Sequence, residues 1–173
     1  KNNSFKWLFV GPELNKKGID TLHDSLSELT NPNIELTVVG EGEFNNFKND
    51  EFEIPFNHKY GVDRSEMLKI MQNHHALIST SRKETFGMAI LEMLSQGRPV
   101  VATRCGGPEE FVNEECGIIV EKENPEKTAQ AMKKIMNEYG NYSPEKISTY
   151  AKERYGSRSF YNNMKEIFND ADI

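Results

Sequence analysis

The chain has 173 residues, is 36% hydrophobic and carries a formal net charge of −6, which is enough for one domain with a core of its own. The acidic balance argues against holding nucleic acid or anionic lipid through a basic footprint, and no apolar run approaches the ~20 residues of a membrane span. Cys105 and Cys116 are the two cysteines and form no disulfide framework; with no secretory pattern after Lys1-Asn2-Asn3-Ser4, a cytoplasmic setting is the expectation.

Phe5 to Val10 (FKWLFV) predicts a buried strand that ends at a Gly11-Pro12 turn. Lys16-Lys17-Gly18 opens a helix with Ile19, Leu22, Leu26 and Leu29 on its apolar face, and Pro32 ends it. Ile34 to Val39 (IELTVV) is the next strand, closed by Gly40-Glu41-Gly42. This strand-helix-strand order predicts a parallel sheet with right-handed crossovers. A glycine turn beside a lysine suits a phosphate, so Gly11 and Lys17 are candidate ligand contacts. The plainer alternative for Lys17 is a solvated lysine, although a lysine at a helix start opposes the dipole.

From Glu43 to Tyr60 the pattern is weak. Phe44, Phe47, Phe52, Ile54 and Phe56 predict a short strand near Glu53 to Phe56, followed by a loop through Asn57 to Gly61. Arg64 to Asn73 reads as a helix with Met67, Leu68 and Met71 inward; Ser65 and Leu68 make no capping box, so its start is soft. His74-His75 has no Asp or Cys at ligand spacing, so both histidines are assigned to structure and no metal site is expected.

Ala76 to Ile78 is an apolar strand ending in small polar residues. A helix is expected from about Thr85 to Gln96, stopped by Gly97, with the strand Pro99 to Thr103 next. On a helical wheel Phe86, Ile90, Met93 and Leu94 form the buried stripe and Glu92 points almost opposite. Glu84 and Glu92 bracket the helix start, ~12 Å apart if helical throughout. The amides at Phe86-Gly87-Met88 offer a phosphate site. A carboxylate suits sugar hydroxyls better than phosphate, so the spacing fits a sugar, a diphosphate and a ribose in that order. Spacing alone leaves open a solvated Glu92 and a Glu84 that merely favours the dipole.

Arg104-Cys105-Gly106-Gly107-Pro108 is a tight loop whose two glycines allow a ligand close to the backbone. Cys105 reads as a small rim residue. Gly117 to Val120 is the last strand, with Cys116 buried before it. Asn124-Pro125 starts a helix carrying Ala129, Met132, Ile135, Met136 and Tyr139, and Ser143-Pro144 starts another carrying Ile147, Tyr150 and Ala151. A final helix carries Phe160, Met164, Ile167 and Phe168. Repeats and linkers are absent, so residues 1–173 read as one domain. The loops after Val10, Val39, Thr80 and Thr103 all leave one sheet edge, where ligands of such sheets bind.

Glu84-x7-Glu92 with internal Phe86-Gly87, then Gly97-x-Pro99-Val100-Val101-Ala102-Thr103 and Gly106-Gly107-x-x-Glu110, resembles the donor-binding domain of retaining GT-B glycosyltransferases of the group 1, or family 4, type. The likeness covers nearly the whole chain. It implies an α/β, Rossmann-like parallel sheet with helices on both faces, one half of a GT-B fold. It implies the donor-binding half of a hexosyltransferase-like enzyme of polysaccharide or glycoconjugate biosynthesis, which transfers a sugar from a nucleotide-diphosphate sugar with retention.

By the same resemblance Glu84 contacts the donor sugar and is the catalytic candidate, while Glu92 holds the ribose. Gly11, Lys17, Phe86, Gly87, Met88, Gly106 and Gly107 complete the donor site, His58 or Tyr60 is the candidate base contact, the plainer alternative being a capping aromatic or a surface histidine, and Glu110 orders its loop. The family's first loop reads Gly-Arg followed by Lys-Gly. Lys17-Gly18 fits the pair, but Pro12 occupies the arginine position, leaving Lys16, Arg82 or Arg104 to compensate. No cofactor or metal is implied. The implied partners are a nucleotide sugar and an N-terminal acceptor domain that this chain lacks, through which the enzyme could sit at the inner membrane face; alone, the chain is expected to bind donor weakly without turnover. Two rivals stand beside this: an epimerase or phosphorylase on the same fold, and a non-catalytic nucleotide-binding or assembly module in which Pro12 marks a decayed phosphate site.

Overall fold

A computed structural model of the chain describes residues 4–11, 16–29, 33–42 and 54–159. Among these residues six strands, β1 (Phe5–Val10), β2 (Ile34–Val39), β3 (Phe56–Lys59), β4 (Ala76–Ser79), β5 (Val100–Arg104) and β6 (Gly117–Glu121), form one sheet in the order β3-β2-β1-β4-β5-β6. Every pairing is parallel. The helices are α1 (Ile19–Ser27), α2 (Arg64–Gln72), α3 (Met88–Ser95), α4 (Pro125–Asn137) and α5 (Pro144–Tyr155). The chain steps outward from β1 to β3, then returns to lay β4 against the other side of β1. The strand order therefore reverses between β1 and β4, and the loops leaving their C-terminal ends flank a crevice.

The apolar runs are continuous because both faces of the sheet are covered. Trp7 and Phe9 of β1 point to one side, where Leu36, Ile78 and Val101 meet Leu22 and Leu26 of α1 and Met132 and Ile135 of α4. Leu8 points to the other, where Leu77, Val100 and Ala102 meet Met71 of α2, Ile90, Met93 and Leu94 of α3, and Ile147 of α5. This period-two division leaves the strand ends as the place where polar chemistry gathers.

Three helices start on side-chain caps: Asp63 accepts from the Glu66 amide at 2.9 Å, Asn124 from Lys127 at 3.0 Å and Ser143 from Lys146 at 3.4 Å. The start of α2 is therefore firm rather than soft. The cap lies two residues before Ser65, and Leu68 faces solvent rather than the core. By contrast α1 and α3 start at left-handed glycines, Gly18 (φ 66°) and Gly87 (φ 88°), with no side-chain cap.

The edge strand β3 covers Phe56–Lys59, so Asn57, His58 and Lys59 lie in a strand where the sequence predicts a loop. Their register with Thr37, Val38 and Val39 of β2 fixes them there. Helix α4 ends at Asn137, and Tyr139 sits in a following 3-10 turn with its ring edge-on to Phe5 at 5.2 Å. His75 accepts the Lys6 amide at Nδ1 (2.9 Å), and His74 donates from Nδ1 to the Ile70 carbonyl at 2.6 Å; both are structural, as expected. Pro12, Phe44, Phe47, Phe52 and the helix expected around Phe160 to Phe168 lie outside the described residues.

Candidate functional site

The site is built on the C-terminal end of β4. Thr80, Ser81 and Thr103 are fully buried there, and the hydroxyls of Thr80 and Thr103 satisfy loop carbonyls that would otherwise be orphaned. Thr80 Oγ1 lies 3.0 Å from the Lys17 carbonyl and 2.7 Å from that of Gly18, sharing one proton between them. The Arg82 amide donates to the Lys16 carbonyl at 3.0 Å, and Thr103 Oγ1 donates to the Ser81 carbonyl at 2.5 Å. The loop after β1 is thereby fastened to the loop after β4. A Cβ on Gly18 would overlap the Thr80 carbonyl oxygen. Gly11 serves differently: its missing side chain makes room for the Lys17 stem, whose Cγ would lie 2.6 Å from a Cβ there.

Glu84 is clamped through its backbone. Its amide donates to the Cys105 carbonyl at 3.2 Å, and its carbonyl accepts the Gly107 amide at 2.8 Å, forming a parallel bridge with Gly106. A Cβ on Gly106 would overlap the Glu84 carbonyl, and one on Gly107 would come within 2.6 Å of Phe86 backbone. These two glycines thus admit the protein's own 84–86 segment, where the sequence reading gave that space to a ligand. The Glu109 carboxylate accepts the Cys105 and Gly106 amides at 3.1 Å. The loop-ordering part expected of Glu110 therefore falls to its neighbour, because Glu109 is the carboxylate that reaches the loop amides. Burial pushes the Cys105 thiol up, as suits a rim residue rather than a thiolate.

The side chains of Lys17 and Glu84 form an ion pair, the two groups 22% and 18% exposed. The cation expected for phosphate and the carboxylate expected for sugar are thus in direct contact. A Cβ on Gly87 would lie 3.5 Å from Glu84 Cγ, which sets the start of α3 beside the same carboxylate. That helix begins at Met88, three residues later than the sequence predicts, because Gly87 takes the left-handed turn that admits it. Phe86 is therefore off the helix and 45% exposed instead of lying in the buried stripe, and Met88 is 58% exposed. The Ile90 and Leu91 amides both bond the Gly87 carbonyl. The amides of Gly87, Met88 and Ala89 have no acceptor among the described residues, and they carry the positive end of the helix dipole.

Glu92 lies four residues past Met88, about 6 Å along the helix, and is half-buried. Arg82 bonds Asp20 at 2.5 Å and Glu123 at 2.9 Å, and Arg104 bonds Glu121 at 3.1 Å. The guanidinium of Arg82 holds the Asp20 carboxyl below its usual range. Two of the three cations considered as compensation for Pro12 thus already hold carboxylates. His58 sits 2.8 Å from the Gly40 carbonyl, and Tyr60, 76% exposed, lies 6.1 Å from its ring.

Sequence reasoning missed Thr80, Thr103 and Glu109. The run Ser79-Thr80-Ser81 directly after an apolar strand was the available signal for the first. A separate cavity of about 660 Å³ runs beside β6, lined among others by Glu109, Ile118, Ile119, Lys134 and Lys146; Lys17 and Glu84 do not line it. Among the described residues no three His, Cys, Asp or Glu side chains gather as metal ligands, and no helix is long and apolar enough to cross a membrane.

The sequence matches the family described as Glycosyl transferases group 1 over residues 1–154. It is 27% identical over 169 residues to the glycosyltransferase MJ1607 of Methanocaldococcus jannaschii, covering 94% of this chain and 43% of the relative. With MJ1178 of the same organism it shares 31% over 137 residues, covering 75% of this chain and 38% of the relative. The chain thus spans less than half the length of these curated relatives. Among solved structures, a glycosyltransferase from Rickettsia africae superposes with a TM-score of 0.86 at 20% identity, covering 98% of this chain and 48% of that one. Anabaena Alr3699/HepE, in complex with UDP-glucose, superposes with a TM-score of 0.83 at 19% identity, covering 97% and 49%. The architecture is that of one Rossmann-like half of a GT-B fold.

Proposed function

The chain belongs to the group 1 glycosyl transferases, and from that premise we propose that it is the donor-binding half of an enzyme that moves a sugar from a nucleoside diphosphate sugar to an acceptor, with retention at the anomeric carbon. The observation that carries this reading is the convergence of Lys17, Glu84 and the open amides of α3 at the strand-order reversal. When the bond from the anomeric carbon to the diphosphate oxygen breaks, negative charge develops on the leaving group. Lys17 and the amides of Gly87, Met88 and Ala89 would meet that charge with donors already in place. Glu84 would accept hydroxyls of the donor sugar and Glu92 those of the ribose. Binding of UDP-glucose by Alr3699/HepE supports a uridine donor as the first to try. Because the relatives are more than twice as long, we place the acceptor on a further, N-terminal domain, on the cytoplasmic side, and expect no turnover from this chain alone.

Calorimetry with UDP, GDP and ADP tests the reading. One of the three should bind, with affinity unchanged by EDTA. Glu92→Ala should weaken it about tenfold or more, as expected when hydrogen bonds to a charged acceptor are lost. Absence of binding by all three, with the melting curve intact, would overturn the reading in favour of an assembly module.

A further inference from the structure

Lys17 and Glu84 are each other's partner, and both are held in place. The Lys17 stem lies across Gly11 and its carbonyl is fixed by Thr80. Glu84 is clamped on both sides of its peptide by Cys105 and Gly107. Each of the two groups is only about one-fifth exposed.

We infer that Glu84 competes with phosphate for Lys17, and so makes the site favour a sugar-bearing diphosphate over a bare one. The inference rests on the donor-site reading above. A diphosphate that takes Lys17 strips the carboxylate of its cation and places like charge beside it, which is unfavourable at a partly covered site. A sugar attached to that diphosphate brings hydroxyl donors that replace the ammonium at Glu84. A bare diphosphate brings none. The carboxylate therefore opposes the diphosphate that remains after transfer while accommodating the donor, and it promotes release of that product.

The experiment is a titration of UDP, GDP and ADP, and of UDP-glucose, GDP-mannose and ADP-glucose, into the protein and its Glu84→Gln, Lys17→Met and doubly substituted forms. Glu84→Gln keeps the backbone clamp and removes the charge. It should tighten the bare diphosphate about twofold to fivefold, the scale of one partly screened charge contact, and should not tighten the matching sugar nucleotide. In the Lys17→Met background the gain should be clearly smaller, because only the repulsion between like charges is then left to relieve. If the Gln form melts early, Glu84→Asp, which keeps the charge but shortens its reach, should show a smaller gain of the same sign. Wild-type binding with no gain, or a gain undiminished without Lys17, would overturn the competition and leave the donor site standing. Binding by none of the proteins would remove both.

Discussion

Two glycines of the loop after β1 do opposite work, and the difference predicts opposite phenotypes. The nearest atoms to a Cβ on Gly11 all belong to the flexible Lys17 side chain. A Cβ on Gly18 would meet the Thr80 carbonyl, in a left-handed conformation that L side chains rarely adopt. Gly11→Ala should thus leave the melting temperature nearly unchanged while weakening UDP by displacing the lysine. Gly18→Ala should destabilise the fold by about 1–3 kcal/mol, the scale of one strained residue. Thermal melts beside UDP titrations separate the two, and equal effects of both substitutions on both readouts would refute this division. At this scale the sequence singled out Lys17 and Glu84 and hid how they meet. Lys17 and Glu84 stand out as a glycine-flanked lysine and a glutamate before a helix. Their contact joins positions 67 apart in the chain, and no local pattern encodes that.

At the scale of elements, the starts of α1, α4 and α5 were readable in the sequence, while α2 was read without its Asp63 cap and α3 was begun three residues early. Asn124-Pro125 and Ser143-Pro144 announce α4 and α5 because the capping oxygen and the proline are local chemistry. Asp63 with Glu66 three residues on was an equally local signal for α2, passed over for Ser65. For α3 the apolar Phe86 extended the helical period too far upstream, and the left-handed turn at Gly87 has no such marker. Strand β3 was hidden because an edge strand alternates half-buried and exposed residues, so Asn57, His58 and Lys59 read as a loop.

The edge of the sheet opposite the site gives a prediction in pH. Burial pulls the pKa values of His74 and His75 below the ordinary 6.5, aided at His75 by Arg98 and Lys6 and opposed by Glu35. The unfolded chain therefore binds protons that the folded chain refuses. Stability is full above about 6.5 and falls as pH drops below it. Melting temperatures between pH 7.5 and 5 should decline, before the carboxylates of Asp20, Glu35 and Asp63 begin to contribute. His75→Asn, which keeps an acceptor for the Lys6 amide without titrating, should flatten part of that decline; an unchanged slope would contradict the assignment.

At the scale of the whole molecule, the parallel sheet was legible because burial on both faces makes its central strands continuous apolar runs. The reversal of strand order at β1 and β4 then assembles the site from two loops and a helix start that are distant in sequence. The most direct test is to follow backbone amides by NMR while UDP, GDP and ADP are added. The account predicts saturable shifts for Gly87, Met88 and Ala89 together with Gly11 and Lys17. Saturable shifts confined to Ile118 and Ile119 beside the β6 cavity, with the α3 amides unmoved, would contradict it.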